Sequence, residues 1–277
     1  MKTKLIFLDI DGTLISAMDH PSILVKQAIQ TARANGHKVF LCTGRNMPII
    51  GDDILEIGFD GIIASAGSHI EVEHTVLFDH FIPEELVQKC LTLFHQHGIY
   101  CRIESKEGIY TDLEMESLLK TAVPDPTNSE LIRMQNEISR GIPFQPYENY
   151  PKKGAYKICF TSTTLEAVDE TKKYLENQFQ YVVHPYGNSS TCFNGEIIPK
   201  GIHKGTAIQL ICQHYHASLQ DTIAFGDSMN DSEMIQCAGI GIAMENACEE
   251  LKTIADTICE SVQNDGIFHE LKRMELI

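Results

Sequence analysis

The sequence predicts an α/β protein: a doubly wound, mostly parallel sheet core with an α+β unit inserted into it. At both ends of the chain, short apolar runs bounded by turn residues alternate with helical patterns. From about Pro83 that alternation gives way to short strands, mixed helices and clustered prolines. Acidic and hydroxyl residues recur just after the core runs, where doubly wound sheets bind ligands.

The first run, Leu5-Ile6-Phe7-Leu8, is a strand buried on both faces, and it ends at Asp9-Ile10-Asp11-Gly12-Thr13. Pro21 opens a helix whose apolar positions are Leu24, Val25, Ala28, Ile29 and Ala32, stopped by Gly36. Lys38 to Cys42 is a second strand, ending at Thr43-Gly44-Arg45. Helical spacing returns over 49–57, and Gly61 to Ser65 makes a third strand. This is the Rossmann-like alternation, with helices on both faces of the sheet.

The insertion starts with a helix over 84–96, with Leu86, Val87, Cys90, Leu91 and Phe94 on its apolar face. Short strands follow at 99–103 and 109–111, then a helix near 129–139, a strand at 156–160, a helix over 165–177 and a strand at 181–184. The doubly wound pattern returns near Gly195, with a short strand at 196–198 and a helix from Thr206. A strand at 222–225 ends in Gly226-Asp227-Ser228-Met229-Asn230-Asp231. A helix through Ile235, a strand at 240–243, a helix after Asn246 and a last helix from about Ile267 complete the core. The expected domains are 1–82 with 188–277 for the core and 83–187 for the insertion, both of ordinary domain size.

Composition narrows the function classes. The chain has 277 residues, 43% hydrophobic and 22% charged, and a formal net charge of −16 from 38 acidic and 22 basic residues. That balance repels nucleic acid and anionic membrane surfaces, so neither is expected as a partner. An anionic substrate would have to be held locally, by one or two cations, backbone N–H groups and a metal. No apolar run approaches the roughly 20 residues that span a bilayer. The nine cysteines are scattered singly, without a C-x-x-C pair, as reduced thiols of a cytoplasmic protein would be.

Four clusters then fall at strand ends or an adjacent helix start: Asp9 with Asp11, Thr43-Gly44, Lys204, and Asp227 with Asn230 and Asp231. Paired carboxylates ending a buried strand are costly unless a cation or proton chemistry uses them. Together the clusters contain what hydrolysis of a phosphate ester through a covalent intermediate requires. A carboxylate attacks phosphorus, and a divalent cation on oxygen ligands offsets the repulsion between the two anions. A lysine, a hydroxyl and backbone N–H groups hold the phosphate oxygens, while a second carboxylic acid moves protons.

These four ordered motifs resemble those of the haloacid dehalogenase superfamily. The insertion between the second and third is similar to the C2 cap of its Cof-like hydrolases. Gly241-Ile242-Ala243-Met244-Glu245-Asn246-Ala247 and Asn264-Asp265-Gly266-Ile267 are similar to that subgroup too. The resemblance implies Asp9 as nucleophile and Asp11 as general acid and base. It implies Mg²⁺ on the Asp9 carboxylate, the Asp11 backbone carbonyl and Asp227. Phosphate would be held by Ile10 and Asp11 N–H groups, Thr43, Gly44, Lys204 and Asn230. Asp231 would orient Lys204 or a metal-bound water, and Arg45 would reach the substrate or the cap. Where the subgroup often has Asn-Gly-Ala, this chain has Ala66-Gly67-Ser68.

Each assignment has a plainer competitor. An EF-hand loop from Asp9 would need glycine sixth and an acid twelfth, whereas Gly12 is fourth and His20 twelfth. Thr43 could simply cap a helix, and Asp227 and Asp231 could be carboxylates at a helix N-terminus. Lys200-Gly201 nearly repeats Lys204-Gly205, but the family spacing selects Lys204. His95 with His97, and His214 with His216, are i,i+2 pairs that share no helix face. The expected function is Mg²⁺-dependent hydrolysis of a small phosphorylated metabolite, such as a sugar phosphate or a phosphorylated cofactor. A sugar phosphomutase and a non-catalytic metabolite-binding protein are the alternatives. A homodimer is allowed by the sequence without being required by it.

Overall fold

The computed structural model describes residues 2–16, 20–112, 144–185 and 193–277. It contains two compact units, Met1–Asp79 with Ile202–Ile277, and His80–Gly201. The expected helix at 129–139 lies outside the described residues.

In the first unit the chain runs through β1 (Leu5–Leu8), α1 (Ile23–Ala34), β2 (Lys38–Cys42), α2 (Asp52–Leu55), β3 (Gly61–Ala64), β4 (His69–Val72) and β5 (Thr75–Asp79). The second unit holds α3 (Glu84–Gln96), β6 (Tyr100–Glu104), β7 (Ile109–Thr111), β8 (Gln145–Pro146), β9 (Lys157–Ser162), α4 (Leu165–Leu175), β10 (Phe179–Pro185) and β11 (Phe193–Pro199). The chain then returns to the first unit through α5 (Lys204–His214), β12 (Thr222–Gly226), α6 (Ser232–Cys237) and β13 (Ile240–Met244). It ends with α7 (Glu249–Ile254), β14 (Thr257–Cys259) and α8 (Gly266–Arg273).

The first unit is an eight-stranded sheet in the order β14-β13-β12-β1-β2-β3-β4-β5. Strand β1 lies inside it, parallel to β12 and β2, with Leu8 opposite both Phe225 and Leu41. All four β1 residues are buried, and they alternate between two cores. Ile6 and Leu8 pack with Val25, Ala28 and Ile29 of α1 and with Ile267 and Leu271 of α8. Leu5 and Phe7 pack with Ala207, Ile208 and Ile211 of α5 and with Met234 and Ile235 of α6. A strand covered on both faces reads as a continuous apolar run for this reason.

Three local differences from the expectation have physical causes. The sheet continues past β3 as an antiparallel hairpin, β4 and β5, which the sequence does not announce. Its two-residue turn is Glu73-His74, both in the left-handed region at φ 48° and 63°, where Asn-Gly would be the usual signal. The helix expected over 49–57 is a 3₁₀ turn at Met47–Ile49 followed by the single-turn α2. And α5 begins at Lys204, two residues before the expected Thr206.

The second unit is a six-stranded sheet in the order β10-β11-β9-β6-β7-β8. Helices α3 and α4 bury Val87, Phe94, Val168 and Leu175 in the same cluster as Ile103, Ile158, Phe160 and Ile197. Strand β11 corrects the expected boundary at 188: it pairs with β9 and β10, so the second unit extends to Gly201. Residue 195 has to be glycine there, because a Cβ would run into the Phe160 ring and the Val182 carbonyl. Among the described residues, no helix is long and apolar enough to cross a membrane.

His74 is fully exposed at the hairpin tip, so its backbone conformation is its main energetic burden. His74→Gly should raise stability by about 1 kcal/mol through relief of the left-handed strain. Urea unfolding of the two proteins side by side measures it; an unchanged midpoint would mean the turn stores no strain.

Candidate active site

Strand β1 delivers Asp9 to the middle of the sheet's carboxyl edge, where its N–H donates to the Phe225 carbonyl at 3.1 Å. The chain then folds back on itself: the Ile10 carbonyl accepts from the N–H groups of Leu14 and Ile15, each at 3.0 Å. Gly12 makes that reversal at φ 83°, and a Cβ there would fall on the Asp227 carboxylate. Only glycine allows the loop after β1 and the loop after β12 to come this close. Thr13 adds a side-chain tie, its hydroxyl donating to Asp227 Oδ1 at 3.3 Å.

Lys204 enters from α5, whose start is fixed by a reciprocal cap. His203 Nδ1 accepts from the Thr206 N–H at 3.2 Å, and the Thr206 hydroxyl accepts from the His203 N–H at 3.1 Å. From the first position of that helix, the fully buried Lys204 side chain donates to Asp9 Oδ1 at 2.7 Å and to Asp231 Oδ1 at 2.6 Å. Asn230 Oδ1 lies at 3.4 Å from the same ammonium. The second Asp231 oxygen accepts from the N–H groups of Asp227 and Ser228, at 3.0 and 3.2 Å. Asp231 therefore aims the lysine and closes its own loop. Lys200, the near-repeat, is exposed in the turn after β11.

Arg45 meets a carboxylate of the site itself. Its guanidinium grips Asp11 in a two-bond fork, Nε to Oδ2 at 2.8 Å and Nη2 to Oδ1 at 2.6 Å. Thr43 and Gly44 close the same end of β2 and are buried, and the Thr43 hydroxyl accepts from the Arg45 N–H at 3.1 Å. The turn after β3 braces this loop by backbone alone: the Ser65 N–H donates to the Arg45 carbonyl at 2.7 Å, and the Ala66 N–H to Thr43 at 2.9 Å. Ser65, Ala66 and Gly67 all have positive φ there. Ala66 occupies the position where the resemblance leads one to expect asparagine, a residue that tolerates this conformation better.

Four carboxylates, Asp9, Asp11, Asp227 and Asp231, thus share one buried region with two cations, Lys204 and Arg45. Burial pushes the Asp9 carboxyl up to about 8, with Lys204 opposing and Asp231 and Asp11 reinforcing. Burial, Asp231 and Asp9 likewise raise Asp227 well above the carboxylate range. Burial would lower Lys204, but Asp231 and Asp9 outweigh it and hold the ammonium protonated. Asp9, Asp227 and Asp231 each offer an oxygen within 4.8 Å of the others. Hard oxygen donors with excess negative charge fit a divalent cation such as Mg²⁺. Among the described residues, both Asp231 oxygens accept hydrogen bonds, whereas Asp9 and Asp227 each have only one oxygen so engaged, so these two could hold it.

The structure brings Asp9, Asp11, Arg45, Lys204, Asp227, Asn230 and Asp231 into one network of contacts. Ile10, Thr43 and Gly44 line the same sheet edge through the parallel register of β1 and β2. Sequence reasoning missed two ties. Ser228 donates to Asn230 Oδ1 at 2.9 Å, and Asn246 donates to the Gly12 carbonyl at 2.7 Å. The only forewarning of the second was the Gly241–Ala247 stretch itself. In the second unit, Arg102, Glu104 and Lys157 are buried and charge-paired, with Arg102 to Glu104 at 2.6 Å and Lys157 to Glu196 at 2.7 Å.

Comparison with known proteins identifies the family. The family profile of haloacid dehalogenase-like hydrolases matches residues 6–271. An HMP-PP phosphatase of Yersinia pseudotuberculosis is 30% identical over 259 residues, covering 90% of this chain and 86% of its own. The structure of the subclass IIB sugar phosphatase BT4131 superposes with a TM-score of 0.78 at 25% identity, covering 99% of this chain and all of its own. The phosphatase BT1666 of Bacteroides thetaiotaomicron gives 0.78 at 25% identity, over 99% and 96% of the two chains. The chain belongs to the haloacid dehalogenase-like hydrolases, as a phosphatase of the Cof-like kind.

Proposed function

We propose that the chain hydrolyses phosphate monoesters of small metabolites through transient phosphorylation of Asp9. The observation that carries this is the Asp9 carboxylate at the end of a central strand, 2.7 Å from a buried ammonium and grouped with Asp227. The relatives supply the substrate class, since one is named an HMP-PP phosphatase and another a sugar phosphatase. The free thiols of the described cysteines fit work in the cytoplasm.

An Asp9 oxygen attacks phosphorus as the bond to the ester oxygen breaks, and Asp11 gives the departing oxygen a proton. Asp11, now a base, takes a proton from water. That water attacks the phosphorus of the aspartyl phosphate, the phosphorus–Asp9 bond breaks, and inorganic phosphate leaves. Lys204, Asn230, Thr43 and the N–H groups of Ile10, Asp11 and Gly44 would hold the phosphate oxygens. A Mg²⁺ held by Asp9, Asp227 and the Asp11 carbonyl would supply positive charge where anion meets anion. In the resting fork of Arg45, both Asp11 oxygens are occupied as acceptors. That fork fixes the orientation of the Asp11 carboxyl group.

A screen of free-phosphate release with Mg²⁺, over a panel of sugar phosphates and HMP-PP, should identify the substrates. On the best of them, Asp9→Asn should lower turnover by about a thousandfold or more while the circular dichroism spectrum stays unchanged. Substantial turnover in that variant would remove Asp9 as the nucleophile.

Arg45→Ala should lower kcat at least about tenfold if the guanidinium acts through Asp11. The loss should be larger for an alkyl phosphate than for p-nitrophenyl phosphate, whose leaving group needs no proton. Equal losses on both esters would place Arg45 on the substrate instead.

A further inference from the structure

We propose that Asn246 is a positioning residue that sets the spacing of the cation site, a reading that rests on Asp9 and Asp227 holding a divalent metal. Asn246 lies in the turn after β13, closed by the Ala247 N–H donating to the Met244 carbonyl at 2.9 Å. Both ends of its amide are used: Nδ2 donates to the Gly12 carbonyl at 2.7 Å, and Oδ1 accepts from the Val262 N–H at 3.0 Å. A carbonyl on one side and an N–H on the other fix which way the amide faces.

The Gly12 carbonyl is one peptide beyond that of Asp11, in the loop that Asp227 packs against. The Asp11–Gly12 peptide is held by the Gly12 N–H donating to the Ile15 carbonyl at 2.8 Å, and holding the next carbonyl steadies this loop and its approach to the Asp227 loop. The same turn reaches the second loop as well, because the Cys248 N–H donates to the Asp227 carbonyl at 3.0 Å. One short segment thus clasps both sides of the site through backbone groups. Asn246 itself sits exposed at the protein surface and acts through the loops it ties. Asparagine suits the position because it donates and accepts at once. Aspartate could keep the Val262 bond but would set an oxygen against the Gly12 carbonyl.

That difference makes the test. Mg²⁺ and Mn²⁺ affinities of the full chain without substrate would be measured by titration calorimetry for wild type, Asn246→Ala, Asn246→Asp and Asp227→Asn. Outer partners of metal ligands are typically worth 10- to 100-fold in affinity, so the dissociation constant should rise about tenfold or more in both Asn246 variants. In Asn246→Asp it should rise despite the added negative charge. The activation constant for Mg²⁺ should rise in parallel, while kcat at saturating Mg²⁺ stays within about threefold of wild type. Thermal unfolding in a chelator separates this from a general loss of stability. Should Asn246→Ala not fold, Asn246→Asp retains the Val262 bond and carries the test alone. Wild-type affinity in Asn246→Asp, with affinity lost in Asp227→Asn, would overturn the role of Asn246 and leave the metal site standing. Unchanged affinity in Asp227→Asn would overturn the metal site itself.

Discussion

The buried ammonium of Lys204, set between Asp9 and Asp231, is the interaction on which the centre of the sheet depends. An unpaired carboxylate at this depth would cost several kcal/mol, and so would an unpaired ammonium. Joined, each removes the penalty of the other; removing Lys204 would strand two buried carboxylates at a typical cost of about 3–5 kcal/mol, whereas removing one aspartate leaves the ammonium with its other partner. The arrangement explains features that look unrelated. Helix α5 must start at Lys204 for the side chain to enter, hence the two-way cap between His203 before it and Thr206 in its first turn. Gly226 must lack a Cβ because the Asp231 side chain lies over it.

Much of the rigidity around this charge pair comes from backbone groups. Asp231 is held by two N–H donors, the Thr43–Arg45 loop by the turn after β3, and the Asp9 loop by its own reversal at Gly12. Groups fixed in this way need not reorganise when charge develops on a reacting phosphate, and such preorganisation is a large source of rate enhancement. The cost is visible in the backbone. Ser65 and Ala66 are held left-handed, a conformation worth roughly 1–2 kcal/mol per residue against them. Strain of this kind persists where the surroundings over-determine it.

The central strands, their helices and the carboxylate clusters were legible because each left a local trace. Leu5–Leu8 is an uninterrupted apolar run, and Asp9 and Asp11 are charges that such a run would not otherwise end on. The β4–β5 hairpin was not legible, because Glu73 and His74 adopt a turn that their side chains do not advertise. Strand β11 has an apolar stretch like any other, and only its pairing with β9 and β10 assigns it to the second sheet. The Arg45 fork is likewise a matter of reach across space. A sequence shows that an arginine follows Thr43 and Gly44, but not which of several carboxylates it will meet.

The placement of β1 between β2 and β12 has a further consequence for how the protein is made. Synthesis delivers Asp9, Asp11, Thr43 and Arg45 first, and supplies Lys204 and Asp227 only after the whole second unit has been translated. Until then the nascent chain presents β1 as an open edge, with unpaired backbone groups and an apolar side chain at every position. Such an edge can recruit strands from other chains as readily as its own. The core sheet can therefore close around β1 only once the chain beyond the insertion is present.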